Sequence, residues 1–498
     1  MNVMMLLEMA SQGFGDRVAF TNGEDAITYQ ELFDAAGAAA AEIKKSGCAH
    51  VVMLDVSSLA TPIALFASAW AGVPYVPINY RLTPDEIDAL VERVKPCMLI
   101  TDPGRTADFS GQAGLDVRSR EAFISAARSG SALQEPWSMD QDDTGVLLFT
   151  SGTTGAPKAA VLRQKHLVSY ILGSVEFMSA MEEDAALVCV PPYHIAGISA
   201  VMSSVFSGRR VVQLPNFTAA DWLSLVTREG VTNAFVVPTM LALIIDAIED
   251  DASARLPSLR ALAYGGGKMP LSVIERAMTV FPNADFANAY GLTETSSTIA
   301  VLGPQEHRDA AASGDKAVRR RLVSVGKPLP GVEVEIRNEE GGVCDAGVRG
   351  EIYVRGEQVS GEYIGRGSLL DADGWFPTRD AGSIDEAGFL FLEGRADDVI
   401  VRGGENMSPG EIEDVLLEHA SVADAAVVGI PDEQWGEAVA AAVVLKAGKT
   451  ASEEALQAWV KDNMRSSRVP QVIHFLDQLP YNETGKLLRR VIKAQLSQ

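Results

Sequence analysis

Short apolar runs alternate with longer stretches of mixed polarity over the first three hundred positions. Val51–Leu54 and Met98–Ile100 read as buried strands, as do Ala186–Val190, Arg210–Val212, Ala234–Val237 and Leu259–Ala263. Between such runs, apolar positions recur at helical spacing. Thr28–Lys45, Pro84–Val94, Ala219–Glu229 and Met240–Glu249 are the helices this predicts, the first rich in alanine. Strand, helix, strand at this spacing predicts layered α/β structure with parallel sheets.

The pattern changes between about 325 and 394. Val332–Ile336 and Glu351–Val354 alternate with period two, and the turn-rich segments Asn338–Gly342 and Gly356–Gly361 bound them. This predicts a small antiparallel or barrel-like subdomain. A third region runs from near Arg395 to the end. It carries helices at Pro409–Glu418, Glu453–Met464 and Lys486–Leu496, with strands at Ala425–Gly429 and Ala438–Leu445. The fold class is therefore α/β. A large region of layered subdomains, 1–394, includes the β-rich part and precedes a small C-terminal α+β domain, 399–498.

Composition narrows the function classes. The chain has 498 residues, too many for one hydrophobic core. Its 47% hydrophobic and 22% charged residues are ordinary for a globular protein. The formal net charge of −24 argues against a nucleic-acid partner and against an electrostatic grip on anionic membranes. Cys48, Cys97, Cys189 and Cys344 are widely spaced, in no metal or disulfide pattern. Reduced, mostly buried thiols and a cytoplasmic location are the expectation. Met1–Ala10 is apolar but short, carries Glu8 and lacks a basic start, so it is not read as a signal peptide. No apolar run is long enough for a membrane span. The basic run Lys316, Arg319, Arg320, Arg321 reads as a solvated loop.

The chemistry begins at Thr150-Ser151-Gly152-Thr153-Thr154-Gly155-Ala156-Pro157-Lys158. Leu148-Phe149 ahead of it reads as the end of a buried strand. Glycines bring backbone N–H groups close to a ligand, hydroxyls add donors, and the lysine adds charge, a set that suits a polyphosphate. It is not a Walker A loop, because Gly-Lys-Ser/Thr is absent.

Five further segments follow: Pro191-Pro192-Tyr193-His194-Ile195-Ala196-Gly197; Asn288-Ala289-Tyr290-Gly291-Leu292-Thr293-Glu294-Thr295; Gly374-Trp375-Phe376-Pro377-Thr378-Arg379-Asp380; Gly394-Arg395-Ala396-Asp397-Asp398, continuing to Arg402-Gly403-Gly404; and Pro480-Tyr481-Asn482-Glu483-Thr484-Gly485-Lys486. Taken in order, and over nearly the whole chain, they resemble the ANL superfamily of adenylate-forming enzymes. That superfamily comprises acyl-CoA synthetases, peptide-synthetase adenylation domains and beetle luciferases.

The resemblance implies a role for each segment. The loop from Thr150 to Gly155, with Lys158, would hold the β- and γ-phosphates of ATP. His194 would border the acid's carboxylate as a positioning residue rather than a base. Gly265, Gly266 and Gly267 would line the adenine and acyl pocket. In the segment Asn288-Ala289-Tyr290-Gly291, Tyr290 would lie against adenine and Asn288 would reach its amino group. Thr293 would contact the α-phosphate. Glu294 would hold Mg²⁺, a hard ion that prefers carboxylate and phosphate oxygen. Asp380 would bind both ribose hydroxyls, helped by Arg395. Arg379 departs from the family's usual Gly, and would carry strain if φ is positive there. Residues 395–398 would form a hinge centred on Asp397 that makes the small domain mobile. Gly403 and Gly404 would approach the pantetheine of coenzyme A, and Lys486 would be the adenylation lysine.

The expected reaction joins a small carboxylic acid to CoA. The acid attacks the α-phosphorus of ATP, pyrophosphate leaves, and a thiol then takes the acyl group from acyl-AMP. Cations and N–H groups aimed at the developing charge are the main source of rate. Acetate-type members place a Trp where this chain has Gly291, so a larger acid is expected. No carboxylate lies within Tyr193–Ala196 to pair with an amino acid's amine. The expected lining is Ile195, Ala196, Val236, Val237, Met240, Leu292 and Ile299. Each buried CH₂ contributes roughly 0.8 kcal/mol, so a medium- or long-chain fatty acid or a carbocyclic acid is favoured. A carrier-protein thiol in place of CoA, a luciferase-like oxygenase, and a nucleotide-binding regulator are the alternatives. A homodimer is left open.

Overall fold

The computed structural model describes residues 1–150, 157–250, 256–395, 398–402, 405–432, 434–482 and 487–497. Two large mixed sheets dominate it. One has nine strands, in the spatial order Lys327–Pro328, Ser297–Leu302, Asp285–Leu292, Ala261–Gly265, Asn233–Val236, Ala185–Val188, Arg210–Gln213, Val18–Asn22, Asp25–Thr28. From Asp285–Leu292 to Val18–Asn22 every neighbouring pair is parallel. The other has eight strands, in the order Gly367–Ser368, Glu362–Tyr363, Lys158–Arg163, Thr144–Thr150, Tyr75–Pro77, His50–Leu54, Cys97–Thr101, Leu115–Ser119. The sheets are not successive halves of the chain. Val18–Asn22 leaves the N-terminal region to pair with Arg210–Gln213.

Local signals set the helices. Thr28 caps Tyr29–Ser46 through a reciprocal box with Glu31, and Gly47 ends that helix at φ 67°. Every residue of Ala60–Ala71 is buried. That helix packs in one core with Met4–Phe14, Tyr29–Ser46 and Ile195–Ser207. The apolar N-terminal stretch is thus a core helix, with Leu6 and Leu7 buried.

A four-stranded antiparallel sheet follows, Glu333–Arg337, Gly350–Arg355, Phe376–Ile384 and Leu390–Arg395. The C-terminal region has its own five-stranded sheet. Ile400–Arg402 and Glu405–Met407 lie beside the long hairpin Val422–Asp432 and Gly436–Leu445, and Val472–Phe475 pairs with the latter strand. Helices Pro409–Leu417 and Glu453–Asn463 bury Ile412, Leu416, Leu456 and Val460 in its core.

One sequence expectation is met only in part here. The basic run is solvated, with Lys316, Arg319 and Arg320 exposed, but it is not a loop. It forms two short helical turns, Lys316–Arg319 and Arg320–Val323. Arg320 stacks over Phe391 and Arg321 over Phe389, while Arg319 pairs with Glu275. A guanidinium can rest on an aromatic ring with little desolvation, so these side chains pack on the surface while keeping their charge in water. All four cysteines are free, with Cys97 and Cys189 buried. Among the described residues no helix is long and apolar enough to cross a membrane.

Candidate active site

Neighbouring parallel strands in the nine-stranded sheet end at one edge. Past those ends lie Pro191–His194, Val237–Met240, Gly265–Gly267 and Thr293–Glu294. Ligands of open α/β sheets bind in the crevice outside such carboxyl ends.

Three expected nucleotide residues meet there. Tyr290 donates its hydroxyl to Asp380 Oδ2 at 2.7 Å. Arg395 Nη1 donates to Asp380 Oδ1 at 2.8 Å. Register explains the second contact, because Asp380 and Arg395 are direct cross-strand partners. The two come from strands Phe376–Ile384 and Leu390–Arg395, whereas Tyr290 comes from Asp285–Leu292. Burial, and then the charge of Asp380, pushes the Tyr290 phenol well above its ordinary range, so it stays a donor. A carboxylate oxygen has a second lone pair, so Asp380 can still accept from a vicinal diol. Asn288 is buried and donates its amide to the Ser324 carbonyl at 2.8 Å, which leaves Oδ1 as its acceptor.

Glu294 sits in a tight hairpin turn, Thr293–Thr295, between Asp285–Leu292 and Ser297–Leu302. The next two residues have left-handed backbones, Ser296 at φ 56° and Ser297 at φ 117°. Non-glycine residues there store strain and need outside support. Gln358, which is buried, supplies some, donating to the carbonyls of Thr295 at 3.0 Å and Thr298 at 2.8 Å. Ser360 donates its N–H to the Glu294 carbonyl at 2.8 Å. The Tyr363 hydroxyl donates to the Glu294 carboxylate. Lys158 Nζ stands 5.9 Å from the Tyr363 ring centre. Gln358, Ser360 and Tyr363 carry no sequence signal. They lie in and just beyond a segment that reads as a turn, and only the pairing of Glu362–Tyr363 with Lys158–Arg163 brings them here.

His194 precedes helix Ile195–Ser207 at its N-cap position. Burial pushes its imidazole down to about 4, so the ring is neutral at pH 7. It packs on Tyr193 with ring centres 4.7 Å apart, and Tyr193 meets Tyr80 edge-on.

A cavity of about 560 Å³ opens beside this motif. Pro191, Val237, Thr239 and Met240 line one side, and Asp424 with Leu479–Asn482 lines the other. The start of the C-terminal motif therefore faces Pro191, Thr239 and Met240 across the cavity. Lys486, Asp397, Gly403, Gly404 and the loop residues Ser151, Gly152, Thr153, Thr154 and Gly155 lie outside the described residues. Thr150 and Lys158, which flank that loop, are cross-strand partners.

Two expectations about the acid need correction. Gly291 does not simply vacate space for a substrate. A Cβ there would lie 1.8 Å from the Ser297 carbonyl oxygen, so the hairpin backbone itself demands glycine. Val236 and Ile299 are fully buried, in two different cores, and line no opening. Gly265 is constrained in the same way, since a Cβ would lie 2.3 Å from the Ala289 carbonyl. Arg379 does adopt positive φ, at 62°, with its N–H donated to Glu351 at 3.2 Å.

Comparison with known proteins places this geometry. A family described as AMP-binding enzyme matches residues 7–364, and AMP-binding enzyme C-terminal domain matches 411–486. The chain belongs to the AMP-binding enzymes. They are the adenylate-forming ANL superfamily that its motifs resemble. It is 33% identical over 481 residues to a 2-succinylbenzoate–CoA ligase of Bacillus licheniformis, covering 95% of this chain and 96% of the relative. Among solved structures it is similar to o-succinylbenzoate CoA synthetase (MenE) of Bacillus subtilis in complex with the acyl-adenylate OSB-AMP. There the TM-score is 0.83 at 30% identity, covering 98% of this chain and 97% of that one. ATP-bound MatB of Rhodopseudomonas palustris gives a TM-score of 0.89 at 26% identity, covering 100% and 99%.

Proposed function

We propose that this protein is an ATP-dependent acid–CoA ligase that makes acyl-AMP and then the thioester, and that its acid is carbocyclic, of the 2-succinylbenzoate kind. The observation that carries the ligase reading is the convergence of Tyr290, Asp380 and Arg395 beside Glu294 at the strand ends of an AMP-binding fold. The relatives' named substrate supports the carbocyclic choice. So does a cavity of mixed lining, with Phe217, Val237, Met240 and Leu243 beside Arg81, Asp477 and Asn482, which suits a ring that bears polar groups. The fatty acid, which apolar lining favoured equally with a carbocyclic one, has no support from the relatives' named substrate.

In this reading Asp380 accepts from the ribose hydroxyls while Arg395 and Tyr290 fix its orientation. Tyr363 holds the Glu294 carboxylate toward the phosphates. The acid is already ionised at neutral pH, so no strong base is required, and neutral His194 orients it. Glu294 suits Mg²⁺. Among the described residues no cluster of three His, Cys, Asp or Glu could cage a metal, and Mg²⁺ is usually held by one or two carboxylates plus substrate phosphates. When bound it would neutralise phosphate charge. Lys486 adds a cation at the departing pyrophosphate. Rotation about residues 395–398 then withdraws it and admits CoA.

The test is pyrophosphate release and thioester formation over a panel of carbocyclic, aromatic and straight-chain acids, with and without CoA. Lys486→Ala should abolish acyl-AMP formation yet still convert supplied acyl-AMP with CoA. Asp397→Pro should do the reverse. Pyrophosphate release without any CoA-dependent thioester would refute the ligase assignment.

A further inference from the structure

The expected hinge and the loop expected to carry Lys486 are far apart in sequence, yet one arginine reaches the ends of both. Arg489 begins helix Arg489–Leu496. Its guanidinium donates to both oxygens of Glu413, with Nη2 to Oε2 at 2.9 Å. It also donates to the Val427 carbonyl at 2.7 Å. Its Nε lies 3.4 Å from Oδ2 of Asp398, the last residue of the expected hinge. Glu413 is only 4% exposed, and it accepts the Val427 N–H at 2.8 Å as well. A bidentate, desolvated pair with its remaining lone pairs satisfied is geometrically fixed, because removing one partner leaves a buried charge.

The same arginine stands next to a closed neck. Tyr481 and Leu487 form an antiparallel bridge. The Leu488 N–H donates to the Pro480 carbonyl at 2.8 Å. The Tyr481 hydroxyl donates to Asp424 Oδ2 at 2.8 Å. One side chain thus joins helix Pro409–Leu417, strand Val422–Asp432 and the exit of the hinge, and its backbone follows directly on Leu488 of the neck.

We propose that Arg489 is a positioning residue which, through Asp398, couples the exit of the hinge to the neck of the Lys486 loop. Turning the small domain and delivering the lysine then become one movement rather than two. This rests on the ligase reading and on a hinge at 395–398. It assigns Asp398 a role separate from that of Asp397, the pivot itself.

Asp398→Asn in the full-length protein tests it, because this change leaves the Arg489–Glu413 pair in place. The melting temperature should stay within a few degrees of the parent. Acyl-AMP formation should fall about tenfold, while conversion of supplied acyl-AMP to thioester stays within about twofold. Amide hydrogen exchange at Leu487 and Leu488 should speed up, and Asp398→Glu should recover most of the first half-reaction. Unchanged half-reactions and unchanged exchange would overturn the proposal, as would equal loss of both half-reactions with the neck still protected. If the parent makes no acyl-AMP from any acid, the ligase reading fails instead. Exchange at the neck then still decides whether Asp398 is coupled to it.

Discussion

A methyl group on Gly291 would sit 1.8 Å from the Ser297 carbonyl oxygen, far inside contact distance. That carbonyl belongs to the second of two left-handed serines in the turn that presents Glu294, so making room for a side chain would disturb this turn. Gly291→Ala should therefore lower the melting temperature and reduce kcat/KM alike for every acid. Full activity with a shift toward short acids would instead restore Gly291 as a pocket residue. Arg379 presents the opposite case, a long side chain where the backbone favours glycine. Left-handed φ costs a non-glycine residue roughly 1–2 kcal/mol, part of which glycine returns through its more flexible unfolded chain. Arg379→Gly should stabilise the protein by up to about 1 kcal/mol, read as a higher midpoint in urea, with the Glu351 contact from the backbone N–H retained. The departure from the family's Thr-Gly-Asp was legible in the sequence, and so was the strain it would bring. The need for Gly291 was not, because it depends on where a second strand passes.

At the scale of elements, periodicity located most strands and helices to within a few residues. Ala219–Glu229 is the helix the pattern gives, and Asn233–Val236 is the strand after it, shifted by one position. Periodicity could not say that the strand beginning at Asp285 would run on through the motif to Leu292, since Asn288 to Gly291 has weak strand character. Buried histidines in these elements give a pH signature. His166 accepts the Arg163 N–H on Nδ1 at 3.2 Å, and burial followed by the charges of Lys165 and Arg163 lowers its pKa to about 4. His194 is lowered to about 4 by burial alone. As pH falls from 6.5, the unfolded chain takes up protons that these folded rings refuse, so stability drops toward pH 4. One such group gives a slope of at most about 1.4 kcal/mol per pH unit. Unfolding free energy measured between pH 7.5 and 5.5 should fall with acid, and His166→Gln should flatten the slope. An unchanged slope would mean that His166 is protonated in the folded state.

For the whole molecule, the order of motifs along the chain made the architecture legible, but not which surfaces meet across domains. Lys268 directly follows Gly265-Gly266-Gly267 on the large region, and its ammonium lies 2.6 Å from Asp414 on helix Pro409–Leu417 of the small one. It also donates to the Gly410 carbonyl at 3.3 Å, and Ser408 donates to the Glu393 carbonyl at 2.9 Å. In this same arrangement the neck of the C-terminal motif faces Thr239 and Met240 across the cavity. If the proposed hinge operates, the pair would favour this orientation, proposed for the first half-reaction, and would break when the small domain turns. Its side chains are 39% and 56% exposed, so screening limits it to about 0.2–1 kcal/mol. Lys268→Met or Asp414→Asn should slow acyl-AMP formation up to about fivefold and leave thioester formation from supplied acyl-AMP unchanged or faster. The difference from the parent should shrink in high salt, as it does for exposed pairs. Exchanging the charges, with Lys268→Asp and Asp414→Lys together, should recover much of the first half-reaction. Measuring both half-reactions at low and high salt separates this from loss of an adenine contact by Lys268. Such a loss would persist in the exchanged variant and would raise the KM for ATP.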